Sequence, residues 1–271
     1  MSTDATELPP APPAAPDIEQ VADAVLKVGK ILVEGGCETK LVEDTMDTVG
    51  ASFKGVRSCT ANVVLTGITL GVSTQRTTVT RIARIDSVGH NLWAIGQVMA
   101  LAERCEQEQL EPGDALAQLE AIERGPFHRT PTLALASAVG AVGFAVFYGA
   151  SGAALAFVAV AAAVTMGVGR LLDHLLPSPY LSILGQAFAA ALACALFHRL
   201  MPGVGIEAML IPVLMLLVPG MTLTTAVLDT MSGNYISSGA RLIMTLLVGL
   251  AIAVGATVAL HYSGILTWQP S

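Results

Sequence analysis

The loss of charge after residue 130 is the feature that most constrains what this chain can fold into. Of its 14 Lys and Arg and 21 Asp and Glu residues, only three of each follow residue 130. The whole chain is 53% hydrophobic and 13% charged, whereas an ordinary soluble domain is about 25% charged. Because so few charges are left to face water, we predict that residues 128–271 form a transmembrane domain.

Five apolar stretches in this half are long enough to cross a bilayer, which takes about 20 helical residues. They are rich in Ala and Gly, which lets helix backbones approach each other closely in lipid. The alternative is a set of helices in the core of a large soluble protein, but five consecutive charge-poor stretches argue against it. We therefore predict a five-helix transmembrane bundle with spans near residues 131–149, 152–172, 180–200, 206–228 and 239–262.

The N-terminal half carries the whole net charge of −7 and has the periodicities of a small α+β domain. The Pro/Ala-rich segment 1–16 is typical of a disordered tail and has neither the basic nor the apolar region of a signal peptide. For residues 17–127 the predicted order is a helix from Asp17 ended by Gly35-Gly36, a helix from near Thr39, an antiparallel sheet between Ser58 and Ile85 broken at Thr74-Gln75-Arg76, a helix from Val88 to Cys105, and a helix from Pro112.

The orientation follows from the arginines near the ends of the predicted spans. Four of them fall on the side of the N-terminal domain and one on the other side; they are Arg124, Arg129, Arg170 and Arg241 against Arg199. Basic residues accumulate on the cytoplasmic side of membranes. We therefore predict a multi-pass protein of the cell membrane with a cytoplasmic α+β domain and, after five spans, a C-terminus outside. Aromatic anchors fall at span ends, namely Tyr148, Tyr180, Tyr235, Tyr262 and Trp268.

The fourth predicted span contains Pro219 and Gly220, followed by the hydroxyls of Thr222, Thr224 and Thr225. Proline and glycine inside a span free backbone groups that lipid cannot satisfy, so such a break belongs beside protein or a water-filled cavity. Broken helices near the midplane indicate the binding sites of transporters. The alternative is a simple proline kink whose threonines bond back to their own helix.

Three ionisable residues in the membrane half are further candidates for the substrate pathway. Arg170 and Arg241 are suited to a carboxylate, and Asp229 to an amino group, an arginine or a coupling proton. Asp229 and Arg241 flank a short segment containing Gly233 and Asn234, so a turn would bring them together as a charged pair or gate. The alternative for both arginines is ordinary anchoring at the cytoplasmic ends of spans.

The sequence gives little support to an enzyme or a nucleic-acid-binding protein. It has no GxSxG, HExxH, Walker or GxGxxG motif, and its cysteines and histidines are too scattered for a metal site. Cys37 and His90 are residue types that can form a catalytic nucleophile–base pair, but residues so far apart in sequence are more often unrelated. The acidic N-terminal half lacks the basic patch that nucleic acid requires. We expect no cofactor, and membrane lipid and a small-molecule substrate as partners.

Several segments, in order along the chain, resemble the threonine/serine exporter family. Those of the N-terminal half are Val33-Glu34-Gly35-Gly36-Cys37-Glu38-Thr39 with Val42-Glu43-Asp44, Thr80-Arg81-Ile82-Ala83-Arg84, Gly89-His90-Asn91-Leu92 and Ala115-Leu116-Ala117-Gln118-Leu119-Glu120-Ala121-Ile122. Those of the membrane half are Val218-Pro219-Gly220, Asp229, Gly233 and Gly239-Ala240-Arg241-Leu242. The resemblance covers about 240 residues and implies an exporter.

Single-chain members of that family carry about ten spans, so the resemblance implies the split form, in which a second small membrane subunit supplies the remaining spans. It implies threonine/serine-type amino acids as cargo, or dicarboxylates such as succinate, which are associated with split members. A membrane scaffold whose soluble domain binds a regulatory partner is the remaining alternative. The broken fourth span favours transport, because an anchor has no need of it.

Overall fold

The structure is a computed structural model that describes residues 17–125 and 130–265. It forms two compact units: the first contains the chain up to Gly125 together with Leu228–Ser237, and the second contains Pro126–Val227 and the chain from Ser238 onward. The predicted tail 1–16, Arg129 and Trp268 lie outside the described residues. What was predicted from them stays a prediction.

The first unit has the order of helices and strands that the sequence predicts. Its helices are α1 (Ile18–Glu34), α2 (Thr39–Ser52), α3 (Leu92–Glu108) and α4 (Pro112–Glu123), and its strands are β1 (Val56–Val64), β2 (Gly67–Thr74) and β3 (Thr78–Arg84). The sheet is antiparallel with the order β1-β2-β3. Helix α4 begins at Pro112, where the missing N–H of proline costs no helical hydrogen bond.

The core of this unit lies between the sheet and the helices. Helix α1 is capped by Asp17, whose side chain accepts the Glu19 N–H, and it buries one apolar face. Strand β2 buries alternate side chains, as its period of two requires. The buried residues of these two elements include Val21, Val25, Val28, Leu32, Ile68, Leu70 and Val72. Each such side chain contributes about 1.5–3 kcal/mol to the free energy of folding.

Carboxylates of helix α2 occupy the outer edge of strand β1. The Ala61 N–H donates to Asp47 Oδ1 at 3.0 Å, and the Val63 N–H donates to Glu43 Oε1 at 2.9 Å. Burial raises the pKa of the Asp47 carboxyl, and the bond from Ala61 offsets part of that rise. These bonds block further strand pairing at this edge, which is otherwise a template for association.

The membrane half is helical. Its helices are α5 (Thr130–Phe147), α6 (Ala153–Leu175), α7 (Pro179–Leu200), α8 (Glu207–Met215), α9 (Gly220–Met231) and α10 (Tyr235–Tyr262). Within the described ranges, α6, α7 and α10 are each long and apolar enough to cross a membrane, and α8 with α9 qualifies as one bent span. The segment predicted as the first span contains a shorter apolar helix, Pro131–Phe147.

Small side chains dominate the core of the second unit. Its buried residues include Ala141, Ala145, Ala154, Ala161, Ala162 and Ala190. At Gly255 of α10 an added Cβ would lie 2.4 Å from the Leu184 carbonyl oxygen of α7. Only a residue without a side chain permits this approach, which is the close packing expected from the Ala and Gly content.

Candidate functional site

The fourth predicted span is broken where the sequence places Pro219 and Gly220. Helix α8 ends at Met215, α9 begins at Gly220, and the two helices are bent by 56°. Just before the break, the N–H groups of Leu217 and Val218 donate to carbonyls three residues earlier, at 2.9 and 3.3 Å. The predicted break is therefore present, and it separates two half-helices rather than kinking one.

The threonines after the break begin helix α9. Thr224 Oγ1 donates to the Gly220 carbonyl, and Thr225 Oγ1 donates to the Met221 carbonyl, both at 2.9 Å. These two hydroxyl protons are thus used within the helix, as the proline-kink alternative expects. Their oxygens keep lone pairs that can accept a hydrogen bond from an ammonium or hydroxyl group. Thr222 is half-buried beside them.

The charged candidates differ in exposure. Arg241 on α10 is 2% exposed and Asp229 near the end of α9 is fully buried, whereas Arg170 on α6 is exposed. Buried ionisable residues in membrane helices are costly and usually functional. Asp229 belongs to the first unit and Arg241 to the second, and their pairing as a gate stays a prediction.

Asp229 caps a helix that lies far away in sequence. Its Oδ1 accepts the Thr39 N–H at 2.8 Å, across 190 positions of the chain. Thr39 opens α2, and the preceding residue, Glu38, makes no capping bond with its side chain. A carboxylate at a helix N-terminus satisfies a free N–H and interacts favourably with the helix dipole. Asp229 therefore supplies a cap that α2 lacks locally.

The turn after α9 adds a second bond to the same place. Ser232 Oγ donates to Glu38 Oε1 at 2.6 Å. The turn is a Schellman motif around Gly233 at φ +83°: the Asn234 N–H reaches the Asp229 carbonyl at 2.8 Å, and the Gly233 N–H reaches the Thr230 carbonyl at 3.1 Å. This backbone fixes the spacing of Asp229 and Ser232.

A third loop is hydrogen-bonded to the segment between α1 and α2. The Gly89 N–H donates to the Glu34 carbonyl at 2.8 Å, and the Asn91 N–H donates to the Gly35 carbonyl at 3.0 Å. The next residue, Gly36, has φ +89°, and a Cβ added there would lie 2.5 Å from the Gly89 carbonyl oxygen. Residues 34–39, 86–91 and 228–237 thus form what we call the three-loop junction.

The three-loop junction brings together motifs that sequence reasoning treated separately. The loops that hold Cys37 and His90 are adjacent, since a Cβ at Gly36 would lie 3.5 Å from His90 Cδ2. Sequence reasoning missed the roles of Glu38, Thr39 and Ser232. One signal was available: helix α2 begins without the Ser, Thr, Asp or Asn that usually caps an N-terminus. In the ranges that the structure describes, no three His, Cys, Asp or Glu side chains group as a metal site would require.

The chain is similar in sequence to known membrane exporters. The family model for threonine/serine exporters matches residues 23–262. A protein of Mycobacterium tuberculosis (strain ATCC 25618 / H37Rv) with the description "Probable threonine/serine exporter" is 24% identical over 248 residues, which are 89% of this chain and 46% of that relative. The chain thus spans about half the length of that relative. No solved structure matches it. Because the family model covers most of its length, the chain belongs to the threonine/serine exporter family, a family of membrane transporters.

Proposed function

We propose that this chain is a subunit of a secondary membrane transporter that exports small polar metabolites of the threonine/serine type. The observation that carries the proposal is the 56° break between α8 and α9. An anchor or a scaffold gains nothing from such a break, whereas a transporter uses it to present backbone and hydroxyl groups to a solute.

The break suits an amino acid for electrostatic reasons. The N-terminus of α9 at Gly220 carries the positive end of a helix dipole, which attracts a carboxylate. The oxygens of Thr224 and Thr225 can accept hydrogen bonds from an ammonium group or a side-chain hydroxyl. We propose that Pro219, Gly220, Thr222, Thr224 and Thr225 line the substrate pathway, with Arg170 at its cytoplasmic end.

Asp229 and Arg241 are proposed as a charged pair or gate on this pathway. Both side chains are buried. An uncompensated charge costs about 2.5–3.5 kcal/mol at the centre of the bilayer and less toward its surface, so pairing offsets part of the cost. Exchanging this pairing for the charges of the substrate would couple binding to opening. The bond from Thr39 to Asp229 supports the view that this carboxyl is held in a defined position.

A second membrane subunit is proposed to complete the pathway together with five spans of this chain. In an apolar stretch of 18 residues, 22% of the residues of α10 are buried, compared with 39% in the corresponding stretch of α7. Its exposed residues include Leu242, Ile243, Leu246, Leu247 and Leu250. Such a face fits lipid or further helices. In this arrangement the first unit is cytoplasmic and the C-terminus lies outside.

Dicarboxylate export is the second candidate. The buried Arg241 favours it, because a guanidinium binds a carboxylate in a bidentate fashion and a dicarboxylate offers two. A scaffold that carries no solute is the third candidate, and the break disfavours it.

Efflux from preloaded cells tests these candidates. Labelled threonine, serine and succinate are loaded into cells that lack both components, and the chain is expressed alone, with its partner, or as Asp229→Asn, Arg241→Gln or Pro219→Ala at matched membrane abundance. We expect threonine and serine efflux only with the partner, loss of efflux in both charge variants, and slower efflux in Pro219→Ala. Efflux of succinate alone would establish the second candidate. Full efflux from both charge variants would refute the gate, and no efflux of any solute would refute transport.

A further inference from the structure

We propose that the turn between α9 and α10 is a built-in ligand of the N-terminal domain: Asp229 and Ser232 latch it onto the N-terminus of α2, so that this domain holds the C-terminal end of α9. The latch consists of the bonds from Thr39 to Asp229 at 2.8 Å and from Ser232 to Glu38 at 2.6 Å. The latch itself does not depend on the proposed function, whereas its effect on transport rests on it.

The latch has the chemistry of a built contact. Asp229 is fully buried and Thr39 is 2% exposed. A carboxylate removed from water needs hydrogen-bond donors, and the first N–H groups of a helix need acceptors. The Asp229 carboxylate and the Thr39 N–H satisfy each other, whereas the side chain of the preceding residue, Glu38, makes no capping bond. The contact is therefore reciprocal and sensitive to the loss of one oxygen atom.

The latch and the break lie at the two ends of one helix. Helix α9 runs without interruption from Gly220 at the break to Met231 beside the latch, and 12 residues span about 18 Å. Ser238 Oγ on α10 donates to the Ala226 carbonyl at 2.9 Å, which ties α9 to α10 at this position. The latch and the break are therefore joined by helix and not by a loop.

Hydrogen exchange on the purified full chain tests the latch. The amides of the first turn of α2 are followed by mass spectrometry in wild type, Asp229→Ala, Asp229→Asn and a control, Asp173→Ala, at an exposed site on α6. Losing a helix cap costs about 0.5–2 kcal/mol, so exchange in Asp229→Ala should rise roughly 2- to 30-fold. The exchange rate should rise less in Asp229→Asn, because the side-chain amide oxygen still accepts a hydrogen bond. The control should exchange at the wild-type rate.

Ser232→Ala provides an independent arm, with faster exchange expected at residues 228–237. If Asp229→Ala fails to insert, Asp229→Asn and Ser232→Ala carry the test. Exchange at wild-type rates in the inserted variants would overturn the proposal. Efflux measured alongside separates it from the proposed function. If the variants exchange faster but the wild-type chain exports nothing, the latch is supported and the proposed transport function is rejected. If the Asp229 variants lose efflux but exchange at the wild-type rate, the latch is rejected and Asp229 keeps a role in the substrate pathway.

Discussion

Replacing Gly36 by Ala tests the packing of the three-loop junction. The new Cβ would lie 2.5 Å from the carbonyl oxygen of Gly89, which is backbone and cannot rotate away. The residue would also hold φ at +89°, and the left-handed region costs an L-residue about 1–2 kcal/mol. Overpacking adds about 1–3 kcal/mol. We expect the first unit to lose about 2–5 kcal/mol of its free energy of unfolding.

Gly233 is a matched control within the same unit. Gly36 also lies in a Schellman motif, because its N–H donates to the Val33 carbonyl and the Cys37 N–H donates to the Leu32 carbonyl, both at 3.0 Å. Gly233 occupies the same position of its own motif, at φ +83°, but an added Cβ there would meet nothing within 4 Å. Gly233→Ala should therefore cost only the backbone strain, about 1–2 kcal/mol. The difference between the two variants isolates the contact between the loops.

Urea denaturation of the full chain, followed by Trp93 fluorescence in a Trp268→Phe background, measures both variants. The midpoint should move further for Gly36→Ala than for Gly233→Ala. Hydrogen exchange at Gly89 and Asn91, whose N–H groups bond to the loop before Gly36, should rise only in Gly36→Ala. Equal midpoints would show that backbone strain alone accounts for the effect and that the loops do not press on each other.

Two further predictions concern helix packing and thiol chemistry. Gly255→Ala puts a Cβ 2.4 Å from the Leu184 carbonyl oxygen and should lower the free energy of unfolding by about 1–3 kcal/mol, measured by thermal unfolding in detergent. In the control Gly249→Ala the new Cβ meets nothing within 4 Å, so its stability should not change. Equal melting temperatures for the two variants would contradict this prediction. Burial raises the pKa of the Cys59 thiol to about 12. Only the thiolate reacts, so alkylation at pH 7.5 should be about 10³-fold slower than in the urea-unfolded chain, and comparable rates would contradict the burial.

Local patterns in the sequence predict the elements of this protein well. The apolar period from Asp17 and the two glycines after Glu34 locate α1, and the proline at residue 112 locates the start of α4. The break at Pro219 is likewise predictable, because a proline removes an N–H wherever the chain folds. Each of these signals acts within a few residues of the feature it specifies.

The three-loop junction could not be predicted in the same way. The bond between Asp229 and Thr39 depends on a fold that brings residues 190 positions apart together, and nothing in the spacing of either motif specifies the other. The sequence instead predicts a charged pair of Asp229 and Arg241, because the two residues have opposite charges and lie close together in sequence. The first predicted span shows a different limit: hydropathy continues to residue 149, but α5 ends at Phe147, because hydropathy does not register where a backbone leaves the helix.

The first unit is discontinuous in sequence, since its last piece, Leu228–Ser237, follows Gly125 by roughly 100 residues. At about 5–20 residues per second, a ribosome takes roughly 5–20 s to make the intervening chain. During that interval the part of this unit up to Gly125 has been synthesised, while the Thr39 N–H of α2 still lacks its acceptor, Asp229. Completion of the first unit during biosynthesis therefore awaits synthesis of the helix after the break, and a fragment cut at Gly125 would lack the acceptor for the Thr39 N–H.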